Sequence, residues 1–348
     1  MADGTHIEWS DATWNPITGC SVVSPGCTIC YAMKLAGRRL KGHPSRRGLT
    51  DETKAGPVWN GKVRFNEQWL NQPLRWRKPR RIFVCAHGDL FHPSVPMKWI
   101  DKVFAVMALT PHHQFQVLTK RPERMRDYLW RLQDSEDGTI DWANAGVEIV
   151  GSEADGFIDA APWPLPNVWL GTSVEDQQRA DERIHFLLDT PAAVRFISAE
   201  PLLGPIDLTR LRPPGYTWID CLEGRYHDGP SVSAGNARLH WVIVGGESGH
   251  GSRPMHPQWA RDIRDQCVAA GVPLHFKQHG NWVHATDWLN FSRASRRTLL
   301  HRDGSRPKPH ADLEWSDTDV AKMIVVPKAI AGRSLDGRTW DQFPGATA

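Results

Sequence analysis

Arg81-Ile-Phe-Val-Cys-Ala-His-Gly-Asp-Leu-Phe-His92 reads as a short apolar strand that opens directly into a polar, glycine-marked turn. A strand without polar alternation suits burial on both faces, as in a parallel sheet covered by helices. The pattern recurs downstream. Phe115–Thr119 is followed by Lys120-Arg-Pro122, Asn167–Gly171 by Thr172-Ser-Val-Glu175, and Val194–Ser198 by Ala199-Glu-Pro-Leu-Leu-Gly204. Leu239–Val244 runs into Gly245-Gly-Glu-Ser-Gly249, and Pro273–Lys277 into Gln278-His-Gly280. Between them lie stretches of helical periodicity, Pro96 to Leu109, Asp176 to Asp189, and Pro257 to Ala270, the last closed by Gly271. Strand, loop, helix, strand in this repetition predicts βαβ units with right-handed crossovers. The expected fold is therefore α/β, a partial TIM-like β/α barrel of six strands or a similar number, with its site at the C-terminal strand ends.

Three segments, 131–166, 209–238 and 281–325, are polar or rich in Gly, Pro and Asp and carry no sustained periodicity. They read as insertions, loops or small excursions, on a single domain spanning 1–348. A C-terminal extension, 326–348, has its own composition around Gly332-Arg-Ser-Leu-Asp-Gly-Arg338 and is expected to fold back onto the barrel. Hydrophobic residues make up 40% of the 348 and charged ones 23%, enough apolar side chain for a sizeable core and against wholesale disorder. The N-terminal run has no secretory pattern, and no stretch approaches the ~20 apolar residues that span a bilayer. A cytoplasmic protein without a membrane partner is expected.

A net charge of +3 neither requires nor excludes a nucleic-acid partner. Positive charge is concentrated locally in Arg38-Arg-Leu-Lys41, Arg46-Arg47 and Arg75-Trp-Arg-Lys-Pro-Arg-Arg81, with Trp69 and Trp76 as candidate stacking surfaces. A merely solvated basic face is the competing reading.

The six cysteines are too sparse for a disulfide scaffold, yet three crowd into Trp14-Asn-Pro-Ile-Thr-Gly-Cys-Ser-Val-Val-Ser-Pro-Gly-Cys-Thr-Ile-Cys-Tyr31. Gly19 and Gly26 precede Cys20 and Cys27, and glycine lets backbone approach a metal group closely. Three thiolates are one short of a closed tetrahedral site, so zinc would need a distant ligand such as His87 or His92. A [4Fe–4S] cluster on Cys20, Cys27 and Cys30 would leave one iron open to a substrate or cofactor. Three ordinary thiols is the remaining reading.

A cysteine triplet ending in Cys-x2-Cys-Tyr ahead of a partial barrel resembles the radical S-adenosylmethionine enzymes, most closely the branch containing spore photoproduct lyase. The whole chain resembles the phage-associated three-Cys-motif proteins, through Thr13-Trp-Asn-Pro16, Gly88-Asp-Leu-Phe91, Leu118-Thr-Lys-Arg121, Gly171–Glu175, Ser198–Leu203, Gly245-Gly-Glu247 and Lys277-Gln278. The resemblance implies a cluster whose open iron is chelated by S-adenosylmethionine, reductive cleavage to a 5′-deoxyadenosyl radical, and an electron donor. It leaves open a separately encoded partner protein. The first cysteine gap, six residues, is longer than the superfamily's common spacing, and Ile29 stands where an aromatic is usual. The superfamily's Gly-Gly-Glu run normally follows the second strand, whereas Gly245-Gly-Glu247 comes late. Asp89 is therefore the better-placed contact for the cofactor amino group.

Beside that resemblance, Asp89, Glu175, Glu200 and Glu247 each sit just past a predicted strand, where carboxylates could grip an ammonium or accept ribose hydroxyls. Helix capping is the bland alternative. Thr119 and Ser173 are similar cases. Lys120, Arg121, Arg253 and Lys277 could receive a carboxylate or phosphate, or form ordinary rim salt bridges. Cys85, expected inside a buried strand, reads as core packing or as a thiol returning a hydrogen atom to a substrate radical. The function expected is radical S-adenosylmethionine chemistry on DNA, RNA or a nucleotide. The alternative is a non-catalytic zinc- or cluster-stabilised nucleic-acid-binding or phage accessory protein.

Overall fold

The computed structural model describes residue 5 and residues 7–227, 237–286, 288–307 and 319–345. Parts of the interruptions 209–238 and 281–325, and the end of the extension 326–348, fall outside the described residues. The fold is mixed α/β and resolves into two compact units, Met1–Thr172 with Phe186–Arg195, and Ser173–His185 with Phe196–Ala348.

The principal sheet has seven strands: β1 (Ala12–Trp14), β2 (Arg81–Val84), β3 (Gln114–Thr119), β4 (Val168–Ser173), β5 (Val194–Ala199), β6 (Trp241–Gly245) and β7 (Leu274–Gln278). They follow one another in the sheet in sequence order. In the first unit Thr13 lies opposite Phe83, Val84 opposite Val117 and Leu118 opposite Gly171, all parallel. In the second, Val242 lies opposite both Ile197 and Leu274, again parallel. A doubly wound sheet reverses its strand order at a switch point; this one does not, and is compatible with a partial β/α barrel.

Six strands match the apolar runs of the sequence. The seventh, β1, is too short to show a pattern and is made by its partner. Asp11 carboxylate oxygens accept from Arg81 Nη2 and from the Arg81 backbone N–H, at 3.0 and 2.8 Å, fixing its register. Trp14, fully buried, donates its indole N–H to Trp69 O at 2.8 Å.

Helices α1 (Tyr31–Gly37), α2 (Met97–Ala108), α3 (Pro122–Asp134), α4 (Glu136–Val150), α5 (Gln177–Leu188) and α6 (Pro257–Ala269) carry most of the crossovers. Most of the segment 131–166 is helical, so of the two readings it is a small excursion and not a loop. Gly138, Gly146 and a β-branched run make α4 a poor helix by propensity. Packing overrides that: a Cβ on Gly146 would stand 2.2 Å from Ile158 Cδ1 in the following helix, Glu153–Asp159, so the glycine lets the two helices touch. Ser135 Oγ caps α4 by accepting from Gly138 N at 3.3 Å. In 281–325, Trp282–His284, Arg297–His301 and Val320–Val325 form a small antiparallel sheet. The extension returns along β7, with Phe276 N donating to Trp340 O at 2.8 Å and Gln342 N to Leu274 O at 3.1 Å, so that the sheet edge is covered. Among the described residues no helix is long and apolar enough to cross a membrane.

Helix α6 opens on His256, whose ring Nδ1 accepts the Gln258 N–H at 3.1 Å, with Pro257 as first helical residue. Burial first, then His284, Arg302 and Arg261, push its pKa down to about 4. A folded pKa below the unfolded value of about 6.5 means that the unfolded chain takes up the proton first as pH falls. The stabilisation is therefore complete above that value and is lost on the way to pH 4. His256→Asn keeps a capping acceptor and removes the titration. Urea unfolding at pH 7 and pH 5 should show the variant about 1 kcal/mol less acid-sensitive, allowing for solvent screening. An unchanged pH dependence would refute this.

Candidate functional site

The cysteine run is laced to the end of β2. Gly19 N donates to His87 O at 3.2 Å and Gly19 forms a parallel bridge with Gly88. Glycine is required at 19: its φ is +96°, and a Cβ there would stand 2.2 Å from the Lys62 carbonyl oxygen. Ile17–Thr18 pairs antiparallel with Arg64–Phe65, and Gly61 N donates to Cys20 O at 3.2 Å. Pro25–Cys27 then makes one 3-10 turn and Cys30 caps α1, its N–H bound to Cys27 O at 3.2 Å. All three thiols are free and half-buried. Cys20 and Cys30 pack on Ala32, Met33, Ala36, Leu49 and Trp59.

Asp89 is the hub beside them. It is 5% exposed and both its oxygens are saturated. Oδ1 accepts from Thr119 Oγ1 at 2.7 Å and Phe91 N at 3.0 Å; Oδ2 accepts from Arg121 Nη1 at 2.6 Å and Lys120 N at 3.3 Å. Arg121 carries the link to the cysteine run. Its Nη1 lies 3.7 Å from Cys20 Sγ, and its Nη2 donates to Ser21 Oγ at 2.8 Å. Ser21 Oγ also meets His92 Nε2 at 3.0 Å. His92 Nδ1 accepts the Ser94 N–H at 3.1 Å, so the neutral ring carries its hydrogen on Nε2 and donates to Ser21. Burial and Arg121 push the His92 pKa down to about 4, which keeps the ring neutral. Ser21 thus accepts two hydrogen bonds and has its own hydrogen to give. Burial, then the Asp89 charge, push the Cys20 thiol up to about 12, against the opposing pull of Arg121.

Below the run, Arg46 is 3% exposed and donates to Ser45 Oγ at 2.7 Å and to His87 Nδ1. It makes no ion pair among the described residues, and burial lowers its pKa to about 10. Both histidines considered as a fourth metal ligand are thus engaged, His92 through both nitrogens and His87 through Nδ1. Cys85 does not lie within β2 as expected but one residue past its end, at φ +56°, a strained position for a side chain with a Cβ. Burial pushes its thiol up to about 12.

In the second unit the structure joins Glu200 and Lys277. Lys277 Nζ lies 3.4 Å from Glu200 Oε1, and Ser198 Oγ donates to Oε2 at 3.3 Å. Gly245 makes room for that carboxylate, since a Cβ would stand 2.4 Å from Glu200 Oε1. Glu247 is matched by Arg253, which donates from Nη2 at 2.6 Å and Nε at 2.9 Å. Glu175, fully buried, is matched by Arg183 at 3.0 Å, which also donates to Ser173 O at 2.8 Å. Glu247 and Glu175 are therefore engaged within the chain, Ser173 is buried with its carbonyl bound to Arg183, and Glu200 and Lys277, paired with each other, are half-buried. Thr119 spends its hydroxyl on Asp89 and on accepting from Arg121 N at 2.9 Å. Lys120 contributes its backbone N–H, and its ammonium makes no ion pair among the described residues. A cavity of about 930 Å³ in the second unit, lined in part by Asp207, Asp262, Asp265 and Asp303, has these acids occupied by Thr209, Arg302, Arg264 and Ser305.

Ser21 is a member that sequence reasoning missed: a serine after a cysteine carries no signal of its own, and its partners come from 71 and 100 residues away. Among the described residues no three His, Cys, Asp or Glu side chains are gathered as a single metal ion would need. The donor set still fits a cluster in its chemistry. Three soft sulfur donors share one loop, and a fixed guanidinium faces one sulfur.

These features define a class: an α/β protein with a three-thiol loop laced over the strand ends of a parallel sheet. Over residues 4–344 the chain matches, and belongs to, the family described as a protein of unknown function, DUF5131. No curated protein and no solved structure matches it.

Proposed function

We propose that this chain is a [4Fe–4S]-dependent radical S-adenosylmethionine enzyme with a partial barrel of that superfamily, its cluster held by Cys20, Cys27 and Cys30. The observation that carries the reading is the seat of Cys20: a guanidinium 3.7 Å from its sulfur, locked in place by a buried carboxylate. A cluster on three thiolates brings negative charge, and groups around a metal centre tune it through such fixed charges and hydrogen bonds. When bound, cluster and S-adenosylmethionine would supply one-electron cleavage of the sulfonium and hydrogen-atom abstraction.

The chain's own residues supply position and charge. Asp89 fixes Arg121, Arg121 and His92 fix Ser21, and the Ser21 hydroxyl offers a hydrogen-bond donor beside the thiols. Lys120 offers an ammonium to a carboxylate. In the second unit, Glu200 and Lys277 are the half-buried pair assigned to cofactor or substrate, while Glu175 and Glu247 hold the fold. Cys85, buried, is assigned as a hydrogen-atom donor to a substrate radical, its thiyl radical being restored to the thiol by one electron from the donor that serves the cluster and one proton.

Anaerobic reconstitution should give about four irons and four sulfides per chain. A reduced-state paramagnetic resonance spectrum should change on adding S-adenosylmethionine, with 5′-deoxyadenosine as product. Substituting Cys20, Cys27 or Cys30 by Ala should abolish all three. A colourless protein with stoichiometric zinc would overturn the proposal and favour a non-catalytic metal-stabilised protein.

A further inference from the structure

We infer that the segment between α1 and β2 is a nucleic-acid-binding surface that lays a phosphodiester strand beside the cysteine loop. Residues 38–80 hold twelve Lys and Arg against three Asp and Glu, a net of +9, in a chain whose total is +3. The remainder is therefore −6, and the modest overall charge conceals a strongly divided molecule. Arg38, Arg39, Lys41, Arg47, Arg77 and Lys78 are exposed, and none makes an ion pair among the described residues. Elsewhere arginines pair readily: Arg225 with Glu223, Arg261 with Asp336, Arg302 with Asp262. Unmatched like charges repel one another and weaken the fold, so a segment that exposes these six is suited to a polyanion.

The segment is built, not loose. Arg64 donates to Arg47 O at 2.8 Å and to Pro44 O, bracing the turn that carries Arg47. The His43 ring lies 6.2 Å from Trp69, tying that turn to the stretch before β2. Thr18 opposite Arg64, and Gly61 bound to Cys20 O, join the segment to the cysteine run. The run itself presents Val22, Val23 and Tyr31, which are 45%, 45% and 56% exposed, as apolar surface for unstacked bases. Phosphates on the basic segment would thus bring bases to the loop. As a substrate class this rests on the radical reading; as a binding surface it does not.

The test is fluorescence anisotropy with a labelled 20-nucleotide strand of DNA, the same sequence as RNA, and the DNA duplex, over a range of salt. Binding should weaken steeply with salt, and the ranking of the three probes identifies the form of nucleic acid. Joint substitution Arg38→Gln, Arg39→Gln, Lys41→Gln, and separately Arg47→Gln, Arg77→Gln, Lys78→Gln, should each weaken binding about tenfold or more. Each should also flatten the log–log salt slope by about 2 for a single strand. Arg210→Gln with Arg212→Gln, exposed in the second unit, should change neither. No binding, no effect of either triple variant, or equal competition by polyglutamate would overturn the inference, the last in favour of an acidic protein. Binding without a reconstituted cluster would remove the radical reading and keep the surface; a cluster without binding would do the reverse.

Discussion

Asp89→Ala should destabilise the chain by about 3–5 kcal/mol in urea unfolding, because it strands the Arg121 guanidinium in a buried site without its counter-charge. Asp89 and Arg121 are 2.6 Å apart with side chains only 6% and 11% exposed. The loss extends beyond the ion pair, since Thr119, Phe91 N and Lys120 N all donate to the same carboxylate. Asp89→Asn separates the two contributions. It can keep Oδ1 as acceptor for Thr119 and Phe91 N, but turns an amide donor toward Arg121. The double variant Asp89→Ala, Arg121→Met should recover part of the loss, because the unpaired charge leaves with its partner. Reconstituted iron content should fall in the single variant, as Ser21 and Cys20 lose the group that orients them. A cost below about 1 kcal/mol would show that the pair is not a fixed support.

What was legible in the sequence follows from where each element gets its stability. Strands such as Val194–Ala199 and Trp241–Gly245 are buried along their whole length, so composition alone marks them. β1 is three residues long and exists through its register with Ile82–Val84, which no local pattern reveals. α4 is held by contact of Gly146 with Ile158, a tertiary compensation for weak propensity. The site divides in the same way. Asp89, Arg121 and Glu200 could be picked out as candidates because they follow strand ends, a position readable from order along the chain. Which acids are already neutralised could not: Glu175 meets Arg183 eight residues on, and Glu247 meets Arg253 across a glycine turn. Neither spacing is one at which a helix brings charges together.

Gly246→Ala should be a severely damaging single-methyl change in the second unit. A Cβ there would stand 2.1 Å from His279 O, a backbone atom that cannot rotate away, and a Cβ on Gly280 would stand 2.2 Å from Glu247 O. The two glycines let the chain after β6 lie against the chain after β7, where Asn281 N donates to Glu247 O at 3.1 Å and Gly246 N to Gln278 O at 2.9 Å. Overpacking of this kind costs about 3 kcal/mol. Gly271→Ala is the informative contrast: nothing lies within 4 Å of its Cβ position, but φ is +66°, so its cost of about 1 kcal/mol is conformational. Urea unfolding should rank the two in that order. The comparison also bears on the Gly-Gly-Glu run as a cofactor contact, because close packing alone accounts for Gly246 and the Arg253 pair alone accounts for the Glu247 carboxylate. If Gly246→Ala unfolds like the parent yet loses S-adenosylmethionine binding, packing is the wrong account and the run belongs to the cofactor. If it is destabilised as expected, the glycines serve the backbone, and Gly246 and Glu247 drop out as cofactor contacts.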